Sequence, residues 1–162
     1  MAGRTKSVRY IRSKTKQQPA IAIILGSGLG DFADSLTSAK SINTSDIPFY
    51  PVSTVEGHRG KLIFGKLHTI PVLVFQGRVH YYESGKLESV LYPIRVAYKL
   101  GIKTLIVTNA AGGVNRQFSA GDLMLITDQI NLTFENPLPI TERLQRHRQM
   151  YDLQLQNIIR RT

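Results

Sequence analysis

Thr104 to Gly113 reads TLIVTNAAGG, and the fold turns on how this stretch is understood. Thr104 to Val107 is a mainly apolar, β-branched run of the kind that fills a buried strand. It stops at Thr108, Asn109, Ala110, Ala111, Gly112 and Gly113, which are all small or polar. Small residues at the carboxyl end of a buried strand let backbone N–H groups approach a ligand closely, and open α/β sheets bind ligands at that end. An ordinary strand-to-loop exit has the same composition, because Gly and Asn are common turn formers.

The segments upstream repeat the theme. Ile21 to Leu25 is an unbroken apolar run after Pro19 and reads as a buried strand. It leads into Gly26-Ser27-Gly28-Leu29-Gly30 and a short helix from Asp31 to Leu36. Asn43 to Ser53, with Pro48 and Pro51, reads as a loop. Leu62 to Leu67 and Val72 to Phe75 read as a hairpin turning around His68 to Pro71. Leu87, Val90, Leu91, Ile94, Ala97 and Tyr98 recur at helical spacing, with Pro93 inside and Gly101 as a stop signal. A further strand is expected at Leu123 to Thr127 and a helix at Met150 to Arg161, its apolar face formed by Tyr151, Leu155, Ile158 and Ile159. Apolar strands alternating with a helix imply a mixed or largely parallel sheet, buried on both faces. The expected class is therefore α/β: three α/β/α layers around a mixed, largely buried central sheet, ending after a helix.

The chain has 162 residues, 42% of them hydrophobic, and neither Cys nor Trp. That suits a single soluble domain over residues 1–162 with its own core. Without Cys there is no disulfide framework and no thiolate chemistry, which fits a reducing compartment. No apolar run approaches the roughly 20 residues needed to span a bilayer. The formal net charge is +10. Its cations crowd the ends: Arg4, Lys6, Arg9, Arg12, Lys14 and Lys16 precede the first acidic residue, Asp31, and Arg143, Arg146, Arg148, Arg160 and Arg161 lie near the other terminus. Such a balance favours anions, whether phosphate, nucleotides, nucleic acid or an acidic surface. An acid-free, Arg-rich start is also the composition of an organelle transit peptide.

Several groups carry candidate chemistry. The Gly26 to Gly30 loop joins a buried strand to a helix start, so its N–H groups can hold an anion, and Ser27 is its one side chain able to bond a phosphate. It is not a dinucleotide fingerprint, since the third glycine of that motif would fall at Asp31, and it lacks the Gly-Lys-Ser/Thr of a Walker loop. Arg78 and His80 follow a strand two residues apart, a spacing that puts both on one side of an extended chain. A guanidinium offers a fixed fork of donors to phosphate oxygens and an imidazole one donor more, with Glu83 near enough to pair with either. A surface Arg–Glu pair beside a solvated His is the plainer account of the same residues. His58 sits between Gly57 and Gly60, a common turn context, while His68 and His147 read as surface residues. No His/Asp/Glu grouping has metal-ligand spacing, and no Ser–His–acid set is evident.

Taken in order, ILGSGLG (Ile24–Gly30), EGHRGKLIFG (Glu56–Gly65), QGRVHYYE (Gln76–Glu83), YPIRVAYKLGI (Tyr92–Ile102), VTNAAGG (Val107–Gly113) and GDLMLITDQINL (Gly121–Leu132) resemble the trimeric, low-molecular-mass type of purine nucleoside phosphorylase. YIRSKT at Tyr10 to Thr15 is similar to that family's leading helix, and the likeness runs from about Tyr10 to Leu138. The methylthioadenosine phosphorylases are less similar, because they usually lack Asn-Ala-Ala-Gly-Gly. The resemblance implies a nucleoside phosphorylase-like fold and phosphorolysis of purine ribo- or deoxyribonucleosides to free base and pentose 1-phosphate. Carried over by position, Ser27, His58, Arg78, His80 and the Ala110 N–H would bind phosphate, and Tyr82 and Asn109 would contact the nucleoside. His80 and Glu83 would be catalytic, Glu83 orienting His80 and Arg78. It further implies no metal or organic cofactor, inorganic phosphate as co-substrate, a cytoplasmic homotrimer, no membrane association and no nucleic-acid partner. A non-catalytic anion-binding or subunit-interface relative of the family is the alternative.

Two departures qualify these expectations. The family's chains are longer, and their later half supplies a Glu and an Asn that hold the purine, a serine on the phosphate and further strands. After Asn136-Pro137-Leu138 the family also carries a loop whose aromatic residue reaches the neighbouring subunit, whereas Pro139 to Met150 contains no Phe, Tyr or Trp. Half an active site is expected, with the phosphate side present and the purine side missing, together with a hydrophobic sheet edge left uncovered.

Overall fold

A computed structural model describes residues 2–53, 60–133, 135–137 and 151–161. The chain divides into two compact units, 1–111 and 112–162. The first contains helix α1 (Ala2–Lys14), strands β1 (Ile21–Leu25), β2 (Thr37–Asn43), β3 (Lys61–Leu67) and β4 (Ile70–Gln76), helices α2 (Tyr81–Ser84) and α3 (Leu87–Leu100), and strand β5 (Thr104–Val107). Its strands form one mixed sheet in the order β2-β3-β4-β1-β5. β1 runs parallel to both β4 and β5, while β3 is antiparallel to β2 and β4. This is the α/β class that the apolar runs imply.

Alternation along the central strands explains why they read as apolar throughout. Ala22 and Ile24 of β1 face one core, with Leu62, Phe64, Leu73 and Phe75, and helices α1 and α3 supply Ile11, Val96, Ala97 and Leu100 to it. Ile23 and Leu25 face the other, with Ile63, Val72 and Val74, under Ala33 and Leu36. Both faces must be apolar when both are covered. Among the described residues, the second face is covered by a 3-10 turn, Gly30–Ser35, where the sequence reads as a short helix.

α3 shows how the chain enforces an element's end. Pro93, Val96, Ala97 and Leu100 form its buried stripe, and the helix continues through Pro93. Gly101 stops it at φ +94°, with its N–H and that of Ile102 returning to Tyr98 and Ala97 carbonyls. A left-handed residue there costs glycine nothing and satisfies the last carbonyls. The β3–β4 hairpin is tighter than the sequence implies, turning at His68 and Thr69 with His68 at φ +53°.

α1 is seated by spacing of four: Ser7, Ile11 and Thr15 are buried. The Ser7 hydroxyl lies 2.6 Å from the Pro48 carbonyl and 2.8 Å from the Tyr92 hydroxyl. Its single proton goes to the carbonyl, so Tyr92 is the donor in the second contact. Ser7→Ala strips both partners of a buried bond and is expected to cost about 1–3 kcal/mol in thermal unfolding. A melting temperature unchanged within about 1 °C would contradict this account. The basic start is largely tied to the fold. Arg4 pairs with Glu88 at 2.9 Å, Arg12 donates to the carbonyls of Gln17 and Leu100, and the Lys6 and Lys14 ammonium groups sit over Phe49 and Tyr10.

Tyr50 belongs to the same core, edge-on to Tyr92 at 5.8 Å between centroids. Burial, reinforced by neighbouring Tyr92, pushes its hydroxyl pKa far above the ordinary value. A raised folded-state pKa gives a contribution that is complete below the unfolded value of about 10 and declines as pH rises through the interval above it. Stability should therefore fall above about pH 10, and Tyr50→Phe should flatten that decline in urea titrations across the alkaline range.

Two expectations are corrected and one strand is added. β5 is not a buried strand: it is an edge, and Leu105, Ile106 and Val107 are 37%, 44% and 55% exposed. It pairs with β1 along one side, and among the described residues no strand flanks the other. Leu123 to Thr127 is not a strand; with no strand beside it among the described residues, its β-forming residues gain nothing from extension, and Leu123 is 95% exposed. Thr37–Asn43 is a strand that apolar pattern does not reveal, because only Ile42 points inward from this edge position.

In the second unit, helix α4 (Leu153–Ile159) begins at Asp152, whose carboxylate accepts from the N–H groups of Gln154 and Leu155 at 2.8 and 3.0 Å. Such a cap explains why the helix starts later than its apolar pattern implies. Leu155, Ile158 and Ile159 are exposed, and Gln156 is its buried residue.

Candidate active site

β4, β1 and β5 lie side by side and parallel, so their carboxyl ends open on one edge of the sheet. The expected residues lie on the loops leaving those ends. Ser27 follows β1, Arg78 and His80 follow β4, and Asn109 and Ala110 follow β5. His58 lies outside the described residues.

Contacts stitch the three loops together. Register pairs Ile24 with Val107, and the Thr108 N–H donates to the Ile24 carbonyl at 3.0 Å, the last regular rung. The next rung is irregular: the Gly26 N–H donates to the Thr108 hydroxyl at 2.8 Å, and that hydroxyl donates to the Ile24 carbonyl at 3.0 Å. Arg78 reaches from the end of β4 and donates to the Thr108 carbonyl at 3.0 Å. Gly26 is where the approach is closest, since a Cβ there would stand 2.6 Å from Asn109 Cα and 2.7 Å from Thr108 O. The loop then turns, Leu29 N–H returning to the Gly26 carbonyl, with Gly28 at φ +83° and Ser27 exposed.

The Arg78–Glu83 segment is fixed by its own backbone. His80 precedes the single turn of α2; Glu83 N–H donates to the His80 carbonyl at 3.1 Å, and the Glu83 carboxylate accepts from the His80 N–H. Glu83 thus holds His80 through the main chain. Its second oxygen accepts from the Ser53 hydroxyl at 2.9 Å. The His80 ring stacks on Tyr82, centroids 5.1 Å apart and planes 10° from parallel, and Tyr82 is 74% exposed. The Asn109 side-chain amide donates to the Ala110 carbonyl at 3.3 Å.

Sequence patterns miss three supporting groups. Thr108 sits in the opening stretch as one more small polar residue, and nothing local marks its hydroxyl as a rung of the sheet. Gln76 is buried at the end of β4, its amide donating to the Gly30 carbonyl at 2.8 Å and so tethering the glycine loop's far end. A polar residue closing an apolar strand was the available signal. Ser53 has none. A cavity of about 330 Å³ lined by Asp34, Ser41, Lys61 and Gln76, among others, includes none of Ser27, Arg78, His80, Asn109 and Ala110. Among the described residues, no group of His, Asp and Glu could hold a metal ion.

An edge assembled from a guanidinium, a hydroxyl, an imidazole and main-chain N–H groups suits an oxyanion. The model of the phosphorylase superfamily matches residues 20–162. The chain is 50% identical over 133 residues to purine nucleoside phosphorylase 1 of Bacillus subtilis, covering 82% of this chain and 49% of that protein. It is 46% identical to the purine nucleoside phosphorylase of Rattus norvegicus, covering 82% and 47% respectively. A crystal structure of a purine nucleoside phosphorylase in complex with ribose-1-phosphate superposes with a TM-score of 0.69 at 45% identity, covering 75% of this chain and 44% of the other. The chain spans about half the length of the curated relatives it matches.

Proposed function

Since the chain belongs to the phosphorylase superfamily, we propose that it carries the phosphate and sugar side of a site for purine nucleoside phosphorolysis. In this reaction an inorganic phosphate oxygen forms a bond to the anomeric carbon of the pentose. The bond from that carbon to the base breaks, its electron pair leaves with the purine, and a proton is taken up on the base. The products are free purine and pentose 1-phosphate. One observation carries the reading: three adjacent parallel strands end together, and their loops bring Ser27, Arg78, His80, Asn109 and Ala110 to a single edge.

The physical fit is direct. As the base departs, the sugar gains cationic character, and a firmly held dianion beside it stabilises that charge while being positioned for attack. Arg78 supplies a fork of donors, Ser27 a hydroxyl, Ala110 a backbone N–H, and His58 and His80 imidazoles. Tyr82 and Asn109 take the sugar, and Glu83 fixes the turn that presents His80. Phosphate acts as co-substrate, without a metal or organic cofactor. Assembly as a homotrimer and residence in the cytoplasm belong to the same proposal. Among the described residues, no helix is long and apolar enough to cross a membrane.

Phosphate-dependent release of hypoxanthine from inosine tests this reading, with sulfate in place of phosphate as the control. Thermal stabilisation by phosphate without turnover would instead mark an anion-binding relative. Failure of phosphate both to stabilise the protein and to support turnover would remove both readings.

A further inference from the structure

We propose that Thr108 is a positioning residue whose hydroxyl replaces its own carbonyl in the sheet, so that the carbonyl is released to aim Arg78 at the bound oxyanion; this rests on the phosphate-site reading above. In a parallel ladder that pairs Ile24 with Val107, Ile24 accepts from the N–H of residue 108, and Gly26 next donates to the carbonyl of residue 108. The first rung is present at 3.0 Å. At the second, the Gly26 N–H goes to the Thr108 hydroxyl instead, at 2.8 Å. The Thr108 carbonyl, thereby spared, accepts from Arg78 Nη1 at 3.0 Å. The hydroxyl's own proton goes to the Ile24 carbonyl at 3.0 Å, so it both accepts and donates in this exchange.

Geometry requires the substitution. The Thr108 carbonyl oxygen lies 2.7 Å from where a Gly26 Cβ would be, while the Gly26 N–H bonds the Thr108 hydroxyl. Without a side-chain oxygen at position 108, the Gly26 N–H would lose its acceptor. The nearest replacement is that same carbonyl, which would have to swing back into the ladder and away from Arg78. Buried or half-buried N–H groups rarely stay unpaired, so the swing is the expected relaxation. Thr108 thereby couples the glycine loop, the β5 exit and the guanidinium, and touches no reacting atom itself.

Isothermal titration with inorganic phosphate tests this on wild type, Thr108→Ser and Thr108→Val. Valine keeps the β-branched shape and removes the hydroxyl; serine keeps the hydroxyl. The dissociation constant for phosphate should rise at least tenfold in Thr108→Val and stay within about twofold of wild type in Thr108→Ser. If turnover is present, the valine variant should raise KM for phosphate by the same factor and leave kcat nearly unchanged. Equal affinities in wild type and Thr108→Val, or a serine variant as weak as valine, would overturn the role assigned to Thr108 while leaving the phosphate site intact. A wild-type protein that binds no phosphate would overturn the site and this role together. Thr108→Ala serves as a second hydroxyl-free variant. Loss of folding in both hydroxyl-free variants would overturn the proposal in favour of a purely structural bond.

Discussion

Arg78→Ala is expected to lower kcat/KM for phosphate by roughly 100- to 1,000-fold, the range typical of removing one preorganised donor from an anionic transition state. The reasoning starts from valence. A guanidinium carries donors in a rigid planar fork, and one of them, on Nη1, is committed to the Thr108 carbonyl at 3.0 Å. That bond anchors one arm of the fork, so a positive charge stands at the strand ends before any ligand arrives. Alanine removes both. Arg78→Lys keeps the charge but not the fork and should recover only part of the loss. Stability should change far less than affinity, since a hydrogen bond such as that to the Thr108 carbonyl is worth about 1 kcal/mol, or about 2–4 °C in melting temperature for a chain of this size. Phosphate binding by titration calorimetry and phosphate-dependent inosine cleavage are the measurements. An alanine variant within threefold of wild type in both would show that Arg78 does not hold the anion.

Gly26→Ala should produce the largest stability loss among these substitutions, about 3 kcal/mol and thus roughly 10 °C in melting temperature. A Cβ at this position meets Asn109 Cα at 2.6 Å, Thr108 O at 2.7 Å and the Thr108 carbonyl carbon at 2.9 Å. All three are backbone atoms, so no side chain can rotate aside. β1 and β5 would have to separate at the point where the site forms, and phosphate binding should fall together with stability. Gly112→Ala is the control. Nothing lies within 4 Å of its added methyl, and its melting temperature should stay near that of wild type. Differential scanning calorimetry of the two variants decides the matter, and equal melting temperatures would show that the strands are not in contact at Gly26.

Much of this architecture was legible residue by residue. Ile21–Leu25 is buried on both faces and therefore carries no polar position, which is what a central parallel strand looks like in sequence. α3 announces its buried stripe and its stop at Gly101 through spacing and chirality alone. The candidate site residues also stood out, because an Arg and a His two apart after an apolar strand are conspicuous. Elements whose identity depends on neighbours were less readable. Thr37–Asn43 is polar and pairs along β3 only because an edge strand needs one partner and little burial. Leu123 to Thr127 has strand-forming residues and, among the described residues, no such partner, and is irregular.

What the sequence determined by itself was therefore local: which runs extend, where a helix must stop, and which side chains can bind an anion. These follow from torsional preference and periodicity over a few neighbouring residues. The tertiary structure alone decided that β1 lies between β4 and β5, and that Thr108 binds Gly26 and Ile24, 82 and 84 positions away. Hydrogen bonds over such separations form only once the sheet has brought the strand ends together, and no local pattern encodes which oxygen a given N–H will find there.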